Sequence, residues 1–353
     1  MHLNTFKILF AYLNSLLLAF YILLSSNRYQ VIIVDQLSVS IPILRLTGAK
    51  ILFYGHFPDL LLTNRRSWLK ALYRLPFDYI EELTTYLSDK IVVNSKFTRD
   101  TFVSTFKSLN RHQIDVLYPG IRLDDYDIVP SKKDPSVLPL LILGSFVLSI
   151  NRFERKKDLH LAIHSFATLS QKYPKVKLVL AGGYDPRVSE NVEHLQELTE
   201  LCRQSQLDSV VLWKKEDRVP DSTRVVFIPS FTNSQRQFLL QNAISLIYTP
   251  SNEHFGITPI EGMYASLPVV ACKSGGPVES IVDKRFGFLV ESSVGEFTTA
   301  LNKILQDYDQ KDNEKNKKIG KAARKRVIDN FSLANFINRL ESHLEELAIK
   351  KTL

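Results

Sequence analysis

The sequence predicts an α/β protein with two domains, each built around a parallel sheet. Short apolar, β-favouring runs alternate with segments of helical periodicity along the chain, the pattern typical of βαβ units. A length of 353 residues is enough for two domains of ordinary size. The polar, proline-containing stretch from Tyr126 to Pro139 has the composition of a linker. We therefore expect domains at residues 1–130 and 136–331, followed by a final helix at 332–353 that crosses back to the first domain.

The first domain opens with an apolar segment, residues 6–24. Residues 8–24 contain only two polar interruptions, and their length is at the short limit for crossing a bilayer. A buried core helix and a membrane-associated helix both agree with this composition. We favour membrane association, because basic residues that suit an anionic lipid surface lie nearby in the chain: Arg65, Arg66, Lys70 and Arg74.

Candidate strands follow in both domains as short runs rich in apolar residues. In the first domain they are Gln30–Asp35, Lys50–Gly55, Lys90–Asn94 and Asp115–Tyr118. In the second they are Leu140–Leu148, Lys177–Ala181, Val210–Trp213, Val225–Ile228, Ser245–Thr249, Val269–Cys272 and Phe288–Val290. His56 directly follows the second strand of the first domain, at the end of a parallel strand where ligands collect. A lone histidine is more often structural than catalytic, but this position at a strand end makes the two interpretations of His56 about equal, so both stay open.

The stretch YTPSNEHFGITPIEGMYASLPVVACKSGGPVESI, which begins at Tyr248, predicts two helix N-termini beside the ends of neighbouring strands. Thr258 is the expected N-cap of the first helix, Pro259 its first residue and Glu261 the carboxylate of a capping box. Free backbone N–H groups and the helix dipole at such N-termini favour an anion. Glu253 and Glu261 would repel an anion, so if functional they should bind neutral hydroxyl groups. A ligand with both a diphosphate and sugar hydroxyls, such as a nucleotide sugar, meets both demands.

The alternative is that Glu261 only caps its helix and that Glu253 is a solvated loop residue. Two glutamates with seven residues between them would not by themselves decide the matter. Here the pair comes with HFG between them, TP before the second glutamate and SGGP downstream. This combination resembles the donor site of the retaining GT-B glycosyltransferases, which have two Rossmann-like domains facing across a cleft.

The resemblance also implies roles for residues after other strands of the second domain. Arg152 and Lys157 lie in SINRFERKKD, where the alternative is a solvated basic loop. In the family, an arginine and a lysine at this spacing hold the diphosphate, by a fork of donors and a point charge respectively. The same resemblance places Ser230 and Phe231 at the nucleotide base, Glu253 on the sugar hydroxyls and Glu261 on the ribose. It also places the helix N-terminus at the leaving diphosphate through Phe255, Gly256, Ile257 and Thr258.

Three longer runs narrow the resemblance: FYGHFPDLLLT, LYRLPFDYIEELTTYLSDKIVVNSKFT and DVLYPG. They resemble the α-1,3/1,6-mannosyltransferases of dolichol-linked oligosaccharide assembly. The resemblance implies retaining transfer of mannose from GDP-mannose to Man1GlcNAc2-PP-dolichol, first in α-1,3 and then in α-1,6 linkage, giving Man3GlcNAc2-PP-dolichol. His56 would face the transferred sugar or the acceptor, no metal would be required, and the catalytic domains would face the cytosol at the endoplasmic reticulum membrane. Membrane lipids and other transferases of the pathway are the further partners implied.

Composition limits the other function classes. The net charge of +8 suggests anionic partners, but the charge is scattered and no aromatic-interleaved basic motif is present, so we expect no nucleic acid. The two cysteines exclude a disulfide framework and a cysteine-based zinc site.

One feature departs from the resemblance. Family members begin with a βα unit that carries a glycine-rich loop, whereas this sequence starts at the apolar helix. We therefore expect a first domain that is incomplete at its N-terminus. The alternative function is an inactive or weakly active membrane-bound scaffold that binds nucleotide sugar or a partner transferase.

Overall fold

The computed structural model describes residues 7–62, 68–111, 113–213, 217–310 and 313–352, and these fall into two compact units. The first unit comprises Met1–Pro119 and Ala334–Leu353, and the second comprises Gly120–Leu333. The division lies earlier than the expected linker. Backbone carbonyls of Tyr126 and Ile128 accept hydrogen bonds from the side-chain amide of Gln241 (3.3 and 2.8 Å), so these linker residues belong to the second unit.

The first unit is a four-stranded parallel sheet with helices on both faces. Its strands, in spatial order, are β1 (Val31–Asp35), β2 (Lys50–Gly55), β3 (Lys90–Val93) and β4 (Ile114–Val116). Its helices are α1 (Lys7–Leu24), α2 (Ile41–Arg45), α3 (Asp59–Leu62), α4 (Trp68–Tyr86), α5 (Lys96–Thr105) and the C-terminal helix, which starts at Leu333 and ends at Thr352.

Alternation along the central strands of this sheet divides the core between its two faces. Ile51 and Phe53 of β2 pack with helices α1, α2 and α5, whereas Leu52 lies between them in sequence and packs on the opposite side. On that side it meets Leu347 of the C-terminal helix. Because both faces are covered, β2 and β3 are apolar runs without polar alternation, as expected for a buried parallel sheet.

Helix α1 uses only one of its faces for packing. Tyr12 and Ala19 are buried, and the Tyr12 ring lies 5.5 Å from the ring of Phe77. The other face exposes large apolar side chains, up to 83% for Leu24; they include Phe10, Leu13, Leu17, Leu18, Tyr21 and Leu24. Among the residues that the structure describes, no helix is both long enough and apolar enough to cross a membrane. Residue 6, Arg65 and Arg66 lie outside the described residues, as do the side chains of Lys70 and Arg74.

The second unit is built on a seven-stranded parallel sheet. Its strands are β5 (Phe146–Ile150), β6 (Lys177–Gly182), β7 (Ser209–Val211), β8 (Val225–Pro229), β9 (Ser245–Tyr248), β10 (Val269–Cys272) and β11 (Phe288–Val290). Its helices are α6 (Asp124–Asp127), α7 (Leu159–Ser170), α8 (Ser189–Gln204), α9 (Asn233–Asn242), α10 (Ile257–Tyr264), α11 (Pro277–Ser280), α12 (Val294–Asp309) and α13 (Glu314–Phe331). The C-terminal helix Leu333–Thr352 is α14.

The eleven predicted strands are confirmed, most of them to within one or two residues. The prediction for β5 was wrong at its start, because the strand begins at Phe146 and the residues Leu138–Leu140 form a single 3₁₀ turn. Leu140, the first residue of the predicted strand, therefore lies in a turn and not in an extended segment. Gly144 then has a φ of 65°, which turns the chain into β5.

Strand order fixes where a ligand can bind in the second unit. The order β11-β10-β9-β5-β6-β8-β7 places β6 on one side of β5 and β9 on the other. Connections from these central strands therefore leave in opposite directions, and a crevice opens at their carboxyl ends. The two cysteines lie in the core of this unit, where burial raises the pKa of Cys202 to about 12 and of Cys272 to about 11.

Candidate functional site

A pocket of about 280 Å³ opens at the carboxyl edge of β5, β6 and β9. It is lined by residues that follow these strands and by the start of α10, among them Arg152, Lys157, Gly183, Phe231, Glu253 and Thr258. This is the crevice that the strand order predicts. Residues of three separate predicted motifs therefore meet at one place.

A short ion pair lies in the pocket wall. The Nζ atom of Lys157 is 2.6 Å from Oε1 of Glu253, and their side chains are only 9% and 23% exposed. The carbonyl of Lys157 accepts a hydrogen bond of 2.7 Å from Oγ1 of Thr249, which fixes the segment after β5 against the end of β9. Burial, with the Glu253 carboxylate as a further cause, raises the pKa of Tyr248, so that its hydroxyl stays protonated.

Arg152 supplies a more exposed charge at the rim of the same pocket. Its side chain is 61% exposed, and Nη1 lies 2.8 Å from Oε1 of Glu154. The end of β6 passes very close to the backbone beneath it, since a Cβ built on Gly182 would lie 1.6 Å from the carbonyl oxygen of Asn151. Only glycine permits this approach. A Cβ on Gly183 would instead meet only the Arg152 side chain, at 3.1 Å.

The SGGP turn supports the loop that carries Glu253. The N–H of Gly276 donates to the carbonyl of Glu253 at 2.8 Å, and the N–H of Asn252 donates to Oγ of Ser274 at 2.9 Å. Gly275 has a φ of 63°, and a Cβ there would lie 2.3 Å from the carbonyl oxygen of Glu253. The glycines of this motif therefore serve to place Glu253.

Helix α10 begins earlier than expected, so the prediction of Thr258 as its N-cap was wrong. Gly256, with a φ of 80°, is the N-cap, and Ile257 is the first helical residue. Gly256 provides no side-chain cap for this N-terminus, and Pro259 is the third helical residue instead of the first. Because Gly256, Ile257 and Thr258 line the pocket, the helix presents uncapped N–H groups and its positive dipole end there.

Glu261 does not form the predicted capping box. Its side chain is buried, and Oε1 accepts hydrogen bonds from the hydroxyl of Tyr126 (2.5 Å) and from Nη1 of Arg236 (3.2 Å). The Arg236 guanidinium also lies 5.1 Å from the centre of the Tyr126 ring. Burial raises the pKa of Glu261, and both of these partners oppose that rise.

The two residues expected at the nucleotide base lie in one tight turn after β8. Ser230 has a φ of 55°; its N–H donates to the carbonyl of Gly182 and its Oγ to that of Tyr184, both at 2.7 Å. Phe231 lines the pocket. Phe255 differs, because its side chain is buried with its ring 5.9 Å from that of Phe331.

In the first unit, polar residues at the ends of neighbouring strands surround His56. Its Nε2 lies 2.8 Å from Oδ1 of Asp35, which ends β1, and its ring packs edge-on to Tyr54 at 4.9 Å. The backbone N–H of His56 donates to Oε1 of Gln36 (3.1 Å), and its carbonyl accepts from Nδ2 of Asn94 (3.0 Å). The histidine is thus held at both its backbone and its ring.

Comparison with known proteins identifies relatives of this chain. Residues 144–326 match the family model described as glycosyl transferases group 1. The α-1,3/1,6-mannosyltransferase ALG2 of Rhizomucor pusillus is 45% identical over 355 residues, which cover 97% of this chain and 76% of that protein. The human α-1,3/1,6-mannosyltransferase ALG2 is 43% identical over 350 residues, covering 96% of this chain and 79% of that protein. This chain belongs to the α-1,3/1,6-mannosyltransferase family.

This chain also superposes on solved structures with the same fold. An α,α-trehalose 6-phosphate synthase from Burkholderia multivorans superposes with a TM-score of 0.74 at 16% identity, over 98% of this chain and 78% of that one. Anabaena Alr3699/HepE in complex with UDP gives 0.70 at 19% identity, over 93% and 82%. At these identities the likeness concerns the fold alone. The predicted GT-B fold class is confirmed.

Several of the predicted residues line the pocket, whereas Ser230 and Glu261 do not, and the partners that hold these side chains were missed. Tyr126 and Arg236 on Glu261, Asp35 on His56, and the function of the SGGP turn were not predicted. For Asp35 a signal existed, because it ends a predicted strand beside the one that precedes His56. The binding roles assigned to the individual residues stay predictions.

Proposed function

We propose that this chain transfers mannose from GDP-mannose, with retention, to Man1GlcNAc2-PP-dolichol, in α-1,3 and then α-1,6 linkage, to give Man3GlcNAc2-PP-dolichol. The observation that carries this proposal is the identity of 45% with a named α-1,3/1,6-mannosyltransferase across 97% of the chain. The pocket supports it, because cations, a helix N-terminus and a carboxylate meet where such a donor would bind.

The pocket has a complementary group for each charged or polar part of the donor. Arg152 and Lys157 and the free N–H groups at the start of α10 suit the diphosphate. Glu253 suits the hydroxyl groups of the mannose, and Phe231 offers an apolar face to the base. We assign the ribose hydroxyls to Glu261, whose carboxylate would then bind them together with, or in place of, the Tyr126 hydroxyl.

The transfer breaks the bond between mannose C1 and the diphosphate oxygen and forms one between C1 and an acceptor hydroxyl oxygen. Negative charge grows on the departing GDP, and Lys157, Arg152 and the helix N-terminus stabilise it in place. We propose that these groups supply the electrostatic stabilisation without a metal. The acceptor attacks on the face from which GDP departs, and its proton passes to a phosphate oxygen.

In the first unit, His56 is the candidate for contact with the transferred sugar or the acceptor, and Asp35 fixes its ring. The exposed apolar face of α1 supports binding to a lipid surface, which suits a lipid-linked acceptor. We therefore propose that the enzyme lies at the endoplasmic reticulum membrane with its catalytic units on the cytosolic side.

Purified protein in detergent, incubated with GDP-mannose and a Man1GlcNAc2 pyrophosphate-lipid acceptor, should add two hexoses, measured by mass spectrometry. Lys157→Ala and Glu253→Ala should abolish the addition. Lys156→Ala is the matched control, because its side chain is 63% exposed and faces Glu154 at 3.2 Å. Loss of activity in the control as well would contradict the assigned pocket. GDP binding without any transfer by the wild type would indicate a scaffold and overturn the proposal.

Membrane binding is tested separately by flotation with phosphatidylcholine–phosphatidylserine vesicles. Leu17→Glu, on the exposed face of α1, should reduce the bound fraction. Leu138→Glu is the control, since this leucine is also exposed but lies in the second unit. Equal binding by both variants would contradict the role of α1.

A further inference from the structure

A cluster of metal-ligand types lies on two helices of the second unit, outside the pocket. His160 is in the first turn of α7, and His194 and Glu197 are one turn apart on the same face of α8. One ligand atom from each lies within 4.8 Å of the other two. The two imidazole rings are 5.1 Å apart, centre to centre. None of the three residues lines the donor pocket.

We propose that His160, His194 and Glu197 form a binding site for a transition-metal dication of the Zn²⁺ class. Two imidazoles and one carboxylate are a common set of three zinc ligands, with water in the fourth position.

Part of the coordination geometry is already present. Nδ1 of His194 and Oε2 of Glu197 are 3.2 Å apart. Ligand bonds of about 2.0–2.1 Å at a tetrahedral angle place two ligand atoms about 3.3 Å apart, so a dication can bind both without moving either. His160 is only half-buried, and a change of its rotamer can close the remaining distance.

The ring of His194 is free to exchange its Nδ1 proton for a metal. Its side chain is fully buried, and among the described residues Nε2 has no hydrogen-bond partner. In the part of the chain that the structure describes, the one hydrogen-bond partner of the His194 ring is Glu197, which contacts Nδ1. When the metal binds Nδ1, the proton of the neutral ring would move to Nε2, and the metal would replace the hydrogen bond between Nδ1 and Glu197.

The local charge also suits a dication. Arg155 is surrounded by three carboxylates: its backbone N–H donates to Glu190 (3.1 Å), and its guanidinium pairs with Glu193 (2.9 Å) and Glu197 (2.6 Å). Three negative charges against one positive charge leave a local excess of two. The shorter contact with Arg155, at 2.6 Å, uses Oε1 of Glu197. Oε2 lies 3.2 Å from Nδ1 of His194 and also accepts a hydrogen bond of 3.2 Å from Nε of Arg155. A metal on Oε2 would replace that longer contact and leave the guanidinium bound to Oε1.

Co²⁺ titration of the purified, tag-free full chain, followed by visible absorption, tests the proposal. We expect saturation at one equivalent and displacement by Zn²⁺. His160→Gln and Glu197→Gln should each weaken binding at least about ten-fold. Glu193→Gln is the matched control, because it removes a carboxylate from the same helix and the same arginine but lies outside the cluster.

Equal weakening by Glu193→Gln and Glu197→Gln would show general attraction by an acidic surface and overturn the site. Unchanged binding in His160→Gln, or no saturable binding in the wild type, would also overturn it. As a second readout, Zn²⁺ should raise the thermal unfolding midpoint of the wild type and leave that of His160→Gln unchanged. Neither readout depends on transferase activity, so the outcome is independent of the proposed function.

Discussion

The pair of Lys157 and Glu253 should be strongly coupled in the folded protein. At the observed separation of 2.6 Å, two unit charges attract by about 6 kcal/mol with an effective dielectric constant of about 20. Desolvation of two nearly buried ions offsets most of this attraction. The intact pair should therefore contribute little to the free energy of unfolding, whereas removal of one partner should destabilise the fold, because the other charge is then left unpaired.

Double-mutant analysis of the pair measures this coupling. Lys157→Met and Glu253→Gln should each lower the free energy of unfolding by about 2–3 kcal/mol, because each leaves a poorly solvated charge. The double variant should lie within about 1 kcal/mol of the wild type, which corresponds to a coupling of about 3 kcal/mol or more. Urea unfolding of the full chain, followed by fluorescence and circular dichroism, gives these values.

A neighbouring pair provides the control for this cycle. Nζ of Lys156 lies 3.2 Å from Oε2 of Glu154, but the lysine side chain is 63% exposed. The same cycle applied to this pair should give a coupling below about 1 kcal/mol. Additive effects of Lys157→Met and Glu253→Gln, or equal couplings in the two pairs, would refute the argument from burial.

Three further outcomes are expected. Gly182→Ala should lower the free energy of unfolding, measured with urea, by more than about 3 kcal/mol, because the new Cβ would lie 1.6 Å from a backbone oxygen. Gly183→Ala should lower it by less than about 1 kcal/mol. Equal effects of the two substitutions would contradict the observed packing. Tyr126→Phe should cost about 1.5–3 kcal/mol in the same assay, because buried Glu261 loses its shortest hydrogen bond; an unchanged midpoint would refute this. The two buried cysteine thiols, with pKa values raised to about 12 and about 11, should resist a disulfide reagent at pH 8 and react only after unfolding. Rapid labelling of the native protein at pH 8 would contradict this protection. Because folding raises both thiol pKa values, any stability that the buried thiols contribute is fully present below the unfolded pKa near 9 and is lost as the pH rises through 11–12.

Local sequence was sufficient for the sheets and for the location of the pocket. Strand periodicity is a property of a few consecutive residues, and the carboxyl ends of parallel strands necessarily meet at one edge. The resemblance to the GT-B donor site then assigned Lys157 and Glu253, which are 96 residues apart, to one site before any contact was known.

Only the tertiary structure decided how those side chains are held. Whether Glu261 caps its helix or turns toward Tyr126 depends on a partner 135 residues away, and no local pattern encodes that choice. The start of α10 at Ile257 likewise follows from the conformation of Gly256 beside the SGGP turn, although Thr258 has the better capping chemistry. Sequence thus determined which residues reach the site, because that depends on the order of strands. Packing between distant segments determined their partners, because burial and hydrogen bonding are settled only when those segments meet.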